Sequence, residues 1–341
     1  MKAIPTPSKL TTHADFRQVC HIVSGNQLRR AAAAIVNVQD NVAFGPCAAD
    51  PAEHARRRAE HWQEIARSLG PDALSPRPAE MVADAEQLTR VVTANEMPLV
   101  IWTSTTWRQD VQLCWVVDRL DRLGVRADRC FIALVTPPSP GFPLEALTHA
   151  ELLPAFDQRA RLMPDAFVAC AELWRLYGGA DPTAVVLAAQ HAAETLPALA
   201  SHIGEYLRAF PQEAQGGARL SELDDAILEV LDQGGWIHGD RLSDDGRIKR
   251  LWLYPGNLWP LWYRVNQWCE GSLPAIEVEP NSETAVPWLR RYRLTSRGRE
   301  LRAPEGTSSL DAPEMLLGGY PLYGASKRYL RSADGAGLVH R

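Results

Sequence analysis

Short apolar runs alternate with longer amphipathic stretches over the first 136 residues of the chain. Four runs have the length and composition of buried strands, at 19–23, 34–38, 98–102 and 128–135. Helical stretches lie between them, at 27–34, at 52–69, and in two segments that end at residues 93 and 123. Because strands that alternate with helices form a mainly parallel sheet covered on both faces, we predict an α/β fold with a Rossmann-like sheet domain over residues 15–136.

The remainder of the chain has a different pattern. A proline-rich linker at 137–143 precedes apolar positions at helical spacing, which predict a helical segment over residues 144–213. Two amphipathic helices, at 220–231 and 258–269, and a strand pair before a last helix within 286–302 then resemble a winged helix. We therefore predict a winged-helix-like α+β domain over residues 218–303 and a C-terminal hairpin tail over residues 304–341.

The candidate site follows from the ends of the predicted strands. In an open α/β sheet the carboxyl ends of parallel strands share one edge, where ligands bind, and the amides at the start of a helix favour anions. Residues that follow these strands are small, polar or suited to tight turns. The predicted ligand-binding residues are His21, Gly25, Asn26, Asp40, Gly45, Ser104, Thr105, Gln109 and Asp110.

Each of these residues also has a purely structural interpretation. A histidine within a strand, such as His21, is often a hydrogen-bonded core group. Gly25 and Asn26 suit a plain turn, and Asp40 suits a cap on its own loop's amides. Ser104 and Thr105 belong to a run of natural helix N-cap residues. The sequence leaves both interpretations open.

Charge weighs against nucleic acid as the main partner. The formal net charge is -5 and the sequence pI is near 6.0. Residues 219–302 carry 12 Arg and Lys against 13 Asp and Glu, whereas DNA-reading domains usually have a basic excess. Tryptophans in the predicted third helix also favour packing over base contacts. Weak DNA contacts are predicted at the wing arginines Arg290, Arg291, Arg293 and Arg297.

Cysteine and histidine positions predict neither a disulfide framework nor a metal site. The 6 cysteines form no C-x-x-C pair, and several lie in apolar runs, so we expect reduced, buried thiols and a cytoplasmic protein. His202 and Glu205, three residues apart, would share a helix face, but no further ligand follows at metal-site spacing. His54 and His61, beside three arginines, are expected to line a solvated face.

Motif searches narrow the reaction classes further. The chain contains no nucleophile elbow, P-loop, zincin helix or complete dinucleotide-binding fingerprint. Its first nineteen residues lack the apolar core of a signal peptide, and no apolar run approaches the ~20 residues that span a bilayer. We expect neither secretion nor membrane insertion.

Four motifs in order carry a family resemblance. They are His21-Ile22-Val23-Ser24-Gly25-Asn26, Asp40-Asn41-Val42-Ala43-Phe44-Gly45-Pro46, Trp102-Thr103-Ser104 with Gln109-Asp110, and Leu317-Gly318-Gly319-Tyr320-Pro321-Leu322. Together they resemble the bacterial domain-of-unknown-function family numbered 1835 over most of the chain. One branch of that family has an acidic Glu-His-Asp cluster where this chain has Ser104-Thr105-Thr106, so this chain resembles the other branch. The resemblance implies the order of domains and no known activity.

Two functional hypotheses follow from the sequence. In the first, the α/β domain binds an anionic small molecule, such as a nucleotide, at its strand ends for catalysis or sensing. In the second, the winged-helix-like domain contacts DNA or a protein partner and the α/β domain is structural. The ligand, any cofactor, the reaction and the oligomeric state stay open.

Overall fold

The computed structural model describes most of the chain in ten segments. They are residues 16–23, 34–38, 40–70, 83–136, 147–214, 217–251, 259–280, 286–303, 312–323 and 329–340. Residues 27–33 of the helix predicted at 27–34 and the linker at 137–143 lie outside the described residues, and Ala34 belongs to a strand.

A five-stranded, mostly parallel sheet forms the N-terminal part of the structure and confirms the predicted α/β class. In chain order, the first six strands are β1 Cys20–Val23, β2 Ala34–Asn37, β3 Gly45–Pro46, β4 Leu99–Ser104, β5 Cys130–Val135 and β6 Ala160–Arg161. Five of them pair in the order β2-β1-β4-β5-β6, and only the β5–β6 pair is antiparallel. Strand β3 belongs to another sheet.

Helices cover both faces of this sheet. They are α1 Pro51–Leu69, α2 Asp84–Ala94, α3 Trp107–Arg122, α4 His149–Asp157, α5 Pro164–Tyr177, α6 Pro182–His191 and α7 Pro197–Arg208. Local capping fixes several of their starts. The Asp50 carboxylate accepts from the Glu53 amide before α1, and Thr148 and Glu151 form a capping box at α4. One sheet face packs against α4, and the other packs into the larger core that contains α1 and α3.

The C-terminal part combines short helices with three small sheets. Its strands are β7 Gln212–Ala214, β8 Gly217–Arg219, β9 Ile237–His238, β10 Ile276–Val278, β11 Arg291–Leu294, β12 Leu316–Gly318, β13 Tyr320–Pro321, β14 Tyr329–Arg331 and β15 Leu338–His340. Its helices are α8 Glu222–Leu231, α9 Asp240–Asp244, α10 Gly246–Leu251, α11 Trp259–Cys269 and α12 Ser296–Arg302. The sheets have the orders β10-β11-β9, β13-β12-β3 and β15-β14-β7-β8. Because β3 pairs in parallel with β12, the N-terminal part is hydrogen-bonded to the C-terminal tail.

A buried ion pair holds the segment that leaves β2. Arg58 of α1 donates from Nε to Asp40 Oδ2 at 2.9 Å and from Nη2 to Asp40 Oδ1. Trp62, one turn further along α1, donates from Nε1 to the same Oδ1 at 3.1 Å. Arg58 also donates to the carbonyl oxygens of Asn41 and Phe44. One guanidinium therefore neutralises a buried carboxylate and fixes the backbone of the loop before β3.

The expectation of a solvated face on α1 is wrong. Arg58 is 1% exposed and His54 is 7% exposed, and both face the core. Burial, with the nearby charge of Arg58, lowers the pKa of His54 to about 4, so the imidazole is neutral at pH 7. The run of three arginines predicts a solvated helix face, but of the three only Arg56 and Arg57 lie on the outer face, where they pair with Glu53.

The same arrangement recurs on α11. Arg264 donates from Nε and Nη2 to the two carboxylate oxygens of Asp224, at 2.6 and 3.0 Å, and Trp268 donates from Nε1 at 2.9 Å. Tyr323 of the tail completes the set at 2.6 Å. Although burial alone raises the pKa of Asp224, the Arg264 guanidinium holds it below its ordinary value. Each helix thus carries an arginine followed four residues later by a tryptophan, and both bind one buried aspartate.

We expect Arg58→Met to lower the free energy of unfolding by about 3–5 kcal/mol, because it leaves a buried carboxylate without its cation. Urea denaturation followed by circular dichroism measures the loss. Arg56→Met is the matched control on the same helix, since the Arg56 side chain is 56% exposed and its ion pairs are solvated. Equal losses in the two variants would contradict the structural role of the buried pair.

Candidate functional site

The order of the strands reverses between β1 and β4. The chain runs from β1 outward to β2 and then returns to β4 on the other side of β1. At such a topological switch point, the loops beyond two adjacent strands diverge and leave a crevice at the carboxyl edge of the sheet. In this protein the switch point lies beyond Val23 and Ser104, where β1 and β4 end.

The first turn of α3 lies at this edge of the sheet, directly after β4. Thr106 is the N-cap, and its Oγ1 accepts from the Gln109 amide at 3.4 Å. The Trp107 amide donates to Oε2 of Glu205, on α7, at 2.8 Å. Because the amino end of a helix carries a positive partial charge, it stabilises the Glu205 carboxylate there. The helix start thus already binds one anionic group, supplied by the chain itself.

Asp110 and His202 form a hydrogen-bonded pair beside this helix start. Asp110 Oδ2 and His202 Nδ1 are 2.7 Å apart, and the aspartate is 4% exposed. Burial raises the pKa of Asp110 to about 6, while the hydrogen bond to Asp110 raises the pKa of His202. Both groups bind protons more tightly in the folded chain than in the unfolded one. Their contribution to stability is therefore full at low pH and is lost as the pH rises through these pKa values.

The second ring nitrogen of His202 is available to a ligand. No described residue hydrogen bonds to Nε2, and 14% of the side chain is exposed. A histidine held through Nδ1 by a carboxylate presents Nε2 in a fixed orientation, which is how general acids and bases are positioned. The hydrogen bond to Asp110 raises the pKa of this imidazole and so favours its protonated form. The pair can therefore donate a proton to a bound molecule or accept one from it.

Four buried polar atoms between the end of β4 and the second turn of α3 have no partner among the described residues. They are Oγ1 of Thr103, Nε1 of Trp107, Nε2 of Gln109 and Oε1 of Gln112. Gln112 donates from its Nε2 to the carbonyl oxygen of Val38 at 3.2 Å, which joins α3 to the end of β2. Since buried polar groups are almost always hydrogen-bonded, such a cluster is typical of a place where water or a ligand binds.

The structure brings together some of the residues predicted from sequence. Ser104, Gln109 and Asp110 lie at the end of β4 and the start of α3, with exposed Thr105 between them. Gly25 and Asn26 lie outside the described residues, directly beyond the end of β1.

Other predicted residues have structural contacts of their own. Trp102 donates from Nε1 to Nδ1 of His21 at 3.0 Å, so Nε2 of that ring donates to the Phe16 carbonyl oxygen at 2.8 Å. Asp40 binds Arg58. Gly45 lies in β3 at a φ of 82°, and a Cβ there would lie 2.2 Å from Nε2 of His61. His21 therefore has the contacts of a hydrogen-bonded core histidine, Gly45 lies in a strand where a side chain would meet His61, and Asp40 takes part in a buried ion pair.

Sequence reasoning missed the partners of Asp110. From the sequence, His202 and Glu205 are only a pair on one helix face without the further ligands of a metal site. Asp110 lies 92 residues before His202 in the chain, so spacing carried no signal of their contact. Within the described segments, no group of three or more His, Cys, Asp or Glu side chains is placed to hold a metal ion.

Comparison with family models, with curated proteins and with solved structures gave no match for this chain. The resemblance to family 1835 stays a prediction. Among the helices of the described segments, none is long and apolar enough to cross a membrane.

We expect Asp110→Asn to lower the pKa of His202. The amide oxygen can still accept from Nδ1, but it lacks the charge that stabilises the imidazolium. A pH titration of the histidine Cε1 proton resonances by NMR measures the shift. Asp240→Asn is the matched control, because Asp240 pairs with His238 at an exposed position, 3.2 Å apart, and should leave the His202 titration unchanged. An unaltered His202 titration in Asp110→Asn would contradict the pairing.

Proposed function

We propose that the protein binds an anionic small molecule in the crevice between the ends of β1 and β4, and that the Asp110–His202 pair exchanges a proton with it. The observation that carries this proposal is the His202 ring, which is fixed at Nδ1 and leaves Nε2 without a described partner. His21, by contrast, has both ring nitrogens bonded within the protein.

Three features favour an anionic ligand. A protonated His202 supplies a positive charge, and its raised pKa favours this form. The amino end of α3 stabilises negative charge, as the bound Glu205 carboxylate illustrates. Gln109 adds a buried amide donor without a described partner. A phosphate or carboxylate group next to His202 would receive hydrogen bonds from these donors, and a nucleotide is one molecule of this class.

The proposal agrees with the finer fold expected from the sequence. A Rossmann-like sheet with its ligand at the switch point would use the carboxyl edge in this way. Catalysis and sensing both fit the site, because a proton held by His202 serves a reaction or a pH-dependent affinity. Turnover of the bound molecule distinguishes the two.

Ligand binding should depend on His202 and not on the surface histidine pair. We expect native mass spectrometry of the purified protein to reveal a bound anionic molecule. We expect His202→Gln to weaken its binding by tenfold or more, since hydrogen bonds to charged groups contribute about 1.5–3 kcal/mol. His238→Gln is the control, because His238 is an exposed histidine that also pairs with an aspartate. Equal affinity in His202→Gln and wild type, measured by calorimetry, would refute the proposal.

DNA binding is a second candidate because of the topology of the C-terminal part. Helix α8, strand β9, helices α9 to α11 and the β10–β11 pair, with the sheet order β10-β11-β9, follow the order of a winged helix. The likeness supports a winged-helix-like domain and does not by itself indicate DNA as the partner.

The side chains of this domain favour packing over DNA contacts. Trp259, Trp262 and Trp268 of α11 are all buried. Wing arginines face nearby carboxylates: Arg291 lies 3.1 Å from Glu279, Arg293 lies 2.8 Å from Glu277, and Arg297 lies 3.5 Å from Glu300. Pairing of this kind cancels the long-range positive potential on which DNA association depends. A surface of paired charges suits contact with a protein better than contact with DNA, because a protein contact does not depend on that potential.

We expect the protein to bind duplex DNA weakly and without sequence preference, with an affinity that falls steeply as salt rises. Fluorescence anisotropy with several labelled duplexes at two salt concentrations tests this. Nanomolar binding to one duplex at physiological salt, abolished by Arg291→Ala, would favour the DNA-binding alternative.

A further inference from the structure

A cavity of about 420 Å³ opens in the C-terminal part, among elements other than those that form the switch-point crevice. It lies between the end of α8, the strands β10 and β11, and the start of α12. The residues that matter for its chemistry are Gly235, Glu277, Arg293, Ser296 and Arg299. Its volume falls within the range that accommodates small-molecule ligands.

Arg293 is held in place from two sides. Its Nε donates to Oε2 of Glu277 at 2.8 Å. Its guanidinium carbon lies 4.6 Å from the centre of the Trp236 ring, so the planar group stacks on an aromatic face. No described residue hydrogen bonds to its two terminal nitrogens. The side chain is oriented, and its strongest bidentate donors stay available.

Arg299, on α12, lines the same cavity and is also paired with a carboxylate. Its Nε lies 3.4 Å from Oδ1 of Asp232, while Arg302 occupies the other oxygen of that carboxylate at 2.8 Å. The terminal nitrogens of Arg299 have no hydrogen bond to any described residue. Two guanidinium groups, each anchored near Nε, therefore line one cavity together with the exposed hydroxyl residue Ser296.

We propose that this cavity binds the phosphate group of a small phosphorylated molecule. Guanidinium groups bind phosphate oxygens in pairs through their terminal nitrogens, which are the atoms left available here. A phosphomonoester, which carries close to two negative charges at neutral pH, can accept from the terminal nitrogens of both arginines, although each is also paired with a carboxylate through Nε. The cavity leaves room beside the phosphate for the rest of the molecule.

The phosphate of a nucleic-acid backbone is the other source of this chemistry. A backbone phosphodiester carries one charge and binds along an open surface with several lysines or arginines in succession. In this protein the neighbouring Arg291 already uses a terminal nitrogen on Glu279, whereas Arg293 and Arg299 are paired with carboxylates only through Nε and keep their terminal nitrogens available in a cavity. The monoester is therefore the better match.

The test is calorimetric titration of the full chain with inorganic phosphate and with phenyl phosphate, at constant ionic strength set by chloride. We expect saturable binding of both, weakened about tenfold or more by Arg293→Gln and by Arg299→Gln. Arg291→Gln is the matched control: Arg291 lies on the same exposed face of β11, does not line the cavity and already donates from Nη1 to Glu279. Its effect should stay within twofold. The melting temperature of each variant checks folding, and the exposed Arg299 provides a second variant should Arg293→Gln unfold.

Three results would overturn the proposal. The first is the absence of saturable phosphate binding in the wild-type protein, and the second is an equal loss of phosphate affinity in Arg291→Gln. The third is tighter binding of a short DNA duplex than of phenyl phosphate, with DNA binding weakened as much by Arg291→Gln as by Arg293→Gln, which would assign these arginines to nucleic acid. All three outcomes are independent of His202, so they leave the test of the switch-point site unaffected.

Discussion

A charged carboxylate is stable in a protein interior only when donors surround it, and Asp40 takes its donors from successive turns of one helix. Arg58 and Trp62 of α1 both bind it, and Arg58 also binds the carbonyl oxygens of the loop that follows. The pair therefore joins α1 to the end of the parallel sheet and fixes the path of the chain toward β3. Asp224, Arg264 and Trp268 do the same on α11, which packs against α1 through Trp62 and Trp259 with ring centres 4.0 Å apart.

These contacts hold in place the elements that border the proposed ligand site. With the loop after β2 fixed, Gln112 reaches the carbonyl oxygen of Val38, and α3 is held at the carboxyl edge. Glu205 then ties α7 to the first amide of α3, which brings His202 against Asp110. The rigid part of the fold thus orients His202 with its Nε2 free of described partners, as a site for proton exchange requires.

Periodicity and turn chemistry predict four of the five strands of the sheet, because each of these is a local apolar run: the strand expected at 98–102 is β4, Leu99–Ser104. The fifth strand, β6, is two exposed residues within the segment predicted to be helical. The Ser104–Asp110 corner followed from the same logic. What sequence could not supply were contacts between distant segments. The sequence predicts Arg58 on a solvated face, because charged side chains usually lie in water. Its ion pair with Asp40, 18 residues away in the chain, makes its burial favourable. His202 becomes a candidate site residue only through its hydrogen bond to Asp110 on another helix, and no local sequence pattern predicts that contact.

The most direct test of this account is an experimental structure of the protein as purified, at a resolution that shows ordered water. The account predicts non-protein density at the carboxyl edge between β1 and β4, within hydrogen-bond distance of Nε2 of His202 and Nε2 of Gln109. A crevice closed by the chain's own side chains, with both of these atoms hydrogen-bonded inside the protein, would contradict it.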